Sequence, residues 1–207
     1  MKIYEHQGFP DPMRVRIALA EKGLTDRVEV VHVEVAKGEH RAPAFLALNP
    51  TGTVPVPELE VGTTIAECTA ITEYLDQLDG DTVLTGRGAK ERAVVHMLQR
   101  RAESGLLEAV GDYFHHATPG IGPELETYQN RDWGERQRQR AEGAMRYLDS
   151  LLADRPYIAS DRFTVADITA FAGLAFADFA QVEVHAGCVA LREWRGRVAG
   201  RPSVAAA

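Results

Sequence analysis

Residues 49–75 read Asn-Pro-Thr-Gly-Thr-Val-Pro-Val-Pro-Glu-Leu-Glu-Val-Gly-Thr-Thr-Ile-Ala-Glu-Cys-Thr-Ala-Ile-Thr-Glu-Tyr-Leu. A Val-Pro strand, a hairpin and a helix that opens on an acid follow one another here. Only X-Pro bonds adopt the cis form cheaply, so Val54-Pro55 is the natural place for one. A cis bond would turn the Val54 N–H and C=O outward, where an extended peptide can pair with them as a short added strand. Downstream of Glu67 and Cys68, the apolar residues Ile71, Tyr74 and Leu75 recur at helical spacing. The unpaired N–H groups of that helix start suit a carboxylate, and Glu67 suits an ammonium. The order of the segment therefore predicts a pocket for a small peptide.

The same segment resembles the glutathione site of the glutathione S-transferase family, whose usual form is Asn-Pro-x-Gly-x-Val-Pro, then a Glu-Ser pair, then Ala-Ile-x-x-Tyr-Leu. Val15 to Leu24 is similar to the family's first helix, and Thr164 to Ala170 to its later helix-start motif, so the resemblance spans nearly the whole chain in the family's order. Within the family, Ile65-Ala-Glu-Cys-Thr-Ala-Ile-Thr-Glu-Tyr and Tyr113-Phe-His-His-Ala-Thr-Pro-Gly resemble a fungal and bacterial branch typified by a yeast glutathione transferase. The resemblance implies a thioredoxin-like α/β N-terminal domain, an all-α C-terminal domain, glutathione as co-substrate with no metal, a small hydrophobic electrophile as second substrate, and a homodimer. In that dimer the first domain of one subunit meets the long helix near Arg100 and Arg101 of the other.

Composition narrows the classes independently. A chain of 207 residues and 22.7 kDa with 45% hydrophobic residues is ordinary for a globular protein of one large core or two small ones. No run approaches the ~20 apolar residues of a membrane span and the N-terminus has no secretory apolar core, which predicts a cytoplasmic protein without a membrane partner. A net charge of −7 with pI near 5.5 disfavours polyanions, and no basic run interleaves with aromatics, so nucleic acid is not an expected partner. Cys68 and Cys188 have neither CxxC nor zinc spacing. Cys188 reads as a packing cysteine.

Residues 2–5 predict a strand and Asp11-Pro12 a helix start, with Asp11 as N-cap and proline at the first helical position; the helix should end near Lys22-Gly23. Residues 28–33 predict a second strand, 42–48 a short helix, and 54–59 with 63–65 a hairpin turning at Gly62. Strand, helix, strand, helix, strand, strand, helix is a thioredoxin-like order. Pro55 and Pro57 remove two N–H groups from one side of the third strand, which predicts a bulged or half-paired strand. The first domain is expected at 1–79, a Gly- and Asp-rich linker at 80–88, and a helical domain at 89–207, with helices near 89–117, 133–153, 164–180 and 189–199.

The resemblance assigns roles residue by residue. Glu67 meets the γ-glutamyl ammonium, while the N–H and side chain of Cys68, which stands where the family carries serine, face the adjacent carboxylate. A redox role for Cys68 is the competing reading, because a helix N-terminus lowers a thiol's pKa. Lys37 and His40 are placed to meet the glycyl carboxylate, against the alternative of a solvated loop. Phe9 aligns with the serine that stabilises the thiolate in related enzymes, and 1–24 contains no serine or cysteine; Tyr4 is its single tyrosine. Two accounts of the thiolate stay open. Backbone N–H groups of Gln7-Gly8-Phe9 can stabilise negative charge, or His115, at a helix end that faces the glutathione sulfur in this family, can take the thiol proton directly or through a water. His116 projects about 100° away, so only one of the pair should face the site. Gly111, four residues before His115, adds no side chain to help hold a water. Thr164-Val-Ala-Asp167 has capping-box form and reads as structural. The functional reading is a glutathione transferase, with a non-catalytic glutathione-fold binding protein or a glutathione-dependent thiol or peroxide reductase as alternatives.

Overall fold

The computed structural model describes residues 1–60 and 62–207, which divide into two compact units, Met1–Asp81 with Ala207 and Thr82–Ala206. In the first unit, β1 (Lys2–Glu5) leads to α1 (Pro10–Glu21), β2 (Glu29–His32), the short α2 (Pro43–Leu46), β3 (Val56–Glu58) and α3 (Cys68–Gln77). The sheet order is β2-β1-β3, with β1 parallel to β2 from Lys2 opposite Glu29 to Glu5 opposite His32, and antiparallel to β3. A parallel pair needs a crossover, which α1 supplies. Strand alternation buries Ile3 and Glu5 on one face of β1. Tyr4 on the other face meets Phe45 edge-on at 6.5 Å. Phe45 belongs to a small core of Val33, Val35 and Val56, against which Tyr4, Phe9 and Val54 pack.

Three local expectations change. The N-cap of α1 is Phe9, with Pro10 rather than Pro12 starting the helix; Asp11 lies in the first turn, its carboxylate accepting from Arg14 Nη1 at 2.8 Å. The hairpin shrinks to β3 and one bridge, Glu58 opposite Thr64, flanked by bonds from Leu59 N–H to Thr63 O (2.8 Å) and Ile65 N–H to Pro57 O (3.0 Å). At Pro57 the half-paired alternative holds: its C=O faces Ile65, away from β1, so the missing N–H lies on the side where β3 has one bridge rather than a ladder. Finally, 82–88 is no free linker. Leu84 and Thr85 are buried, and Leu84 C=O accepts the N–H of Val165 at 3.1 Å inside the second unit.

α1 packs on α3, and buried charges join them. The side chains of Lys22, 3% exposed, and Asp76, fully buried, meet at 3.2 Å, and Lys22 also reaches Asp79 at 2.7 Å. α1 is capped by Lys22, with Gly23 at φ +62° letting Leu24 N–H return to Leu19 O at 2.8 Å.

The second unit is helical: α4 (Ala89–Ala102), a π-helical turn (Glu103–Leu107), α5 (Glu108–Ala117), α6 (Arg131–Leu152), α7 (Val165–Phe179), α8 (Val189–Ala199) and α9 (Pro202–Ala205). The run expected as one helix over 89–117 is helical throughout but takes the π turn at its middle, where Gly173 of α7 sits against Leu106. α7 is apolar nearly all round because it is the central helix, packing on α4, the π turn and α5. At its start, Asp167 Oδ2 accepts from the N–H and hydroxyl of Thr164, and Oδ1 from Ile158 N–H and Trp194 Nε1, all at 3.0 Å. Among the described residues, no helix is long and apolar enough to cross a membrane.

Candidate functional site

The Val54-Pro55 bond is cis. The loop before it is stitched by Asn49, which is 2% exposed: its Nδ2 donates to Thr53 O and Oγ1 at 2.9 Å, and its Oδ1 accepts from Thr51 N–H at 3.2 Å and Thr51 Oγ1 at 2.8 Å. Among the described residues, neither the N–H nor the C=O of Val54 has a hydrogen-bond partner. The segment leading into β3 thus presents a donor and an acceptor of the kind an extended peptide pairs with.

Glu67 caps α3 with φ +67° and ψ 118°, an uncommon conformation for a residue with a side chain. Its C=O accepts from Ile71 N–H at 3.0 Å, while its exposed carboxylate has no partner among the described residues. Holding a glutamate there costs on the order of 1–3 kcal/mol, and such strain concentrates at ligand clamps. Cys68 follows as the first residue of α3. Its thiol is buried and lies 3.5 Å from both Asp11 O and Asp11 Oδ1. Asp11 is the nearer acceptor because the head of α1 abuts the head of α3.

The two basic candidates differ. Lys37 ends the turn Val35–Lys37 with its side chain 76% exposed, 3.7 Å from Glu34. His40, in the turn Glu39–Arg41, is buried and its Nδ1 has no hydrogen-bond partner among the described residues. Burial, and then the charge of Arg41, push its pKa below the usual histidine value. That direction favours the neutral imidazole at His40, while the exposed neighbour Arg41 bears the charge of this turn.

Tyr4 donates its hydroxyl to Glu58 Oε2 at 2.9 Å, and that bond pushes its pKa up. The Phe9 ring lies 4.4 Å from that of His6, and the Phe9 N–H turns back to His6 O at 3.4 Å. That turn draws the Phe9 N–H away from the anion-donor role that 7–9 suggested.

In the second unit, His115 sits in the last turn of α5. Its Nδ1 is 2.7 Å from Glu126 Oε1, and its Nε2 has no partner among the described residues. An ionised carboxylate only accepts, so the hydrogen of this bond sits on Nδ1, and in the neutral form of the ring Nε2 then holds the lone pair. His116 is committed differently, its Nδ1 accepting the Asn130 N–H at 3.1 Å. Beside His115, Phe114 lies 5.5 Å from both Phe176 and Phe179, and Phe179 is 71% exposed.

Residues 10–78 match the family model for the glutathione S-transferase N-terminal domain and 131–206 that for its C-terminal domain. The chain is 55% identical to glutathione S-transferase 2 of Saccharomyces cerevisiae over 204 residues, covering 99% of this chain and 88% of the relative. The chain belongs to the glutathione S-transferase family. The crystal structure of Gtt2 from Saccharomyces cerevisiae superposes with a TM-score of 0.98 at 54% identity, over 100% of this chain and 99% of that one. The glutathione transferase URE2P6 of Phanerochaete chrysosporium, solved in complex with oxidized glutathione, gives 0.83 at 26% identity over 99% of this chain and 93% of that one. As a member of the family, the protein is a glutathione transferase with a thioredoxin-like N-terminal unit and a helical C-terminal one.

In this glutathione transferase, sequence reasoning missed Asn49, Asp11 and Glu126 as organisers. Asn49 carried a signal, since a buried Asn before Pro50 with two threonines nearby has the donors and acceptors of a loop staple. Glu126 carried none, lying eleven residues from His115 in a loop without periodicity.

Proposed function

We propose that this transferase holds glutathione on its first unit and activates the thiol with a residue of its second. Glu67 meets the γ-glutamyl ammonium, the N–H groups of the first turn of α3 meet the neighbouring carboxylate, and the Val54 N–H and C=O pair with the cysteinyl backbone. Lys37 and Arg41 draw the glycyl carboxylate, and His40 offers a neutral hydrogen bond. The observation that supports this reading is Glu67 itself: its backbone is kept at φ +67° while its carboxylate stays exposed and, among the described residues, without a partner, which is how a charge reserved for a ligand would be held. His115, directly or through a water, accepts the thiol proton at Nε2. The sulfur then forms its bond to the electrophile, whose leaving group departs with its electrons. The trio of Phe114, Phe176 and Phe179 beside His115 supports a small hydrophobic electrophile. The expected setting is a cytoplasmic homodimer.

Turnover with an aryl halide tests the assignment. His115→Ala should lower kcat roughly 10²-fold with glutathione affinity nearly unchanged, the pattern of a lost transition-state contribution. His116→Ala strands the Asn130 N–H at the start of α6, so it should cost about 1 kcal/mol of stability while turnover holds. Equal turnover in wild type and His115→Ala across pH would move the chemistry to backbone donors of the first unit.

A further inference from the structure

We infer that Glu126 is the positioning residue of this transferase: it holds His115 with the hydrogen on Nδ1 and the lone pair on Nε2. The inference rests on the reading of His115 as proton acceptor. The loop joining α5 to α6 folds back on the end of α5 through several bonds. Thr118 Oγ1 donates to Phe114 O at 2.6 Å, and Gln129 Nε2 donates to His115 O at 2.7 Å and to Thr118 O at 2.8 Å. Into this clamp the chain inserts one carboxylate. The Glu126 side chain is 10% exposed, and its Oε1 receives both the Ile121 N–H at 2.9 Å and His115 Nδ1 at 2.7 Å.

Room for it is made by Gly120, at φ +58°, where a Cβ would lie 2.1 Å from Glu126 Oε1 and 2.6 Å from its Cδ. Glycine is thus required twice, by its backbone angle and by the carboxylate passing over it. A largely desolvated acid with two donors and a glycine cleared for it is a built arrangement. Its effect on an imidazole is specific, because the bond made by one ring nitrogen decides the state of the other. Without it, the His115 ring can rotate or take the other tautomer, which leaves a proton where the thiol needs an acceptor.

The test is nitrogen-detected NMR of the His115 ring in the full-length protein, together with turnover. Wild type should show a protonated Nδ1. Glu126→Ala should lose that signature and slow kcat about tenfold at unchanged KM for glutathione. Glu126→Gln, whose amide oxygen can accept both bonds, should keep the tautomer and recover most of the rate. In a His115→Ala background, Glu126→Ala should add no further loss. An unchanged tautomer in Glu126→Ala, or an equal slowing with and without His115, overturns the positioning role. Undiminished turnover in His115→Ala overturns the base reading instead, and the two failures are read from different experiments.

Discussion

Glu67 shows how a single residue carries the conflict between folding and binding. Its φ of +67° is one that glycine adopts without penalty and glutamate does not. Glu67→Gly should therefore raise stability by about 1 kcal/mol, after the entropy that glycine adds to the unfolded chain, and move Tm up by roughly 2–4 °C for a chain of this size. The same change should abolish tight glutathione binding. Glu67→Gln keeps the strain and removes the charge, so calorimetry should find affinity weakened by about 2 kcal/mol, roughly 30-fold, with Tm little altered. If Glu67→Gly melts lower than wild type, the strain is not stored at this position; if Glu67→Gln binds as tightly as wild type, the ammonium is held elsewhere.

At the scale of elements, α7 is fixed at its start by an acid and at its middle by a glycine. Burial outweighs the donors around Asp167 and pushes its carboxyl from 3.8 up to about 6. Between those values the folded protein binds the proton more tightly than the unfolded chain. The contribution of this group to stability is then greatest below about pH 4, falls as pH rises towards 6, and levels off above; the step is on the order of 2–3 kcal/mol. Denaturant titrations of wild type and Asp167→Asn should differ in slope across that window. The variant should also be less stable at every pH, because an amide nitrogen would face N–H donors of the cap. Farther along α7, a Cβ at Gly173 would lie 2.9 Å from Cγ of the fully buried Leu106 and 3.4 Å from Leu107 N. Gly173→Ala should cost about 1–3 kcal/mol by overpacking the π turn. Gly143, in α6, has only Arg146 Nη2 within 4 Å of such a Cβ, at 3.9 Å. There alanine should add about 0.5–1 kcal/mol through helix propensity. Thermal melts of the pair separate packing from propensity, and a stabilised Gly173→Ala would refute the close approach.

For the whole molecule, the proposed twofold dimer places α4 at the interface, where Met97 is 45% exposed. Arg100 there lies 3.1 Å from Glu103 and 2.6 Å from Glu108, and Arg101 stacks 5.6 Å over Tyr147. Light scattering at micromolar concentration should give about twice the 22.7 kDa chain mass; a monomer would sink the dimer. The order of elements from β1 to β3, the end of α1 at Gly23, the cis proline, the cap of α7 and the placing of Glu67 before a helix were all legible in the chain, because each depends on residues within a few positions of one another. Periodicity, proline geometry and capping chemistry act at that range. The rest was decided only by folding. Cys68 turned to Asp11 because two helix heads abut, tertiary packing lowered the His40 pKa by burying it beside Arg41, and Phe9 lost its N–H to a turn. His115 acquired a carboxylate eleven residues away because Gly120 leaves space for it. Hydrogen bonding and charge state depend on which groups share a volume, and that is settled by packing rather than by spacing along the chain.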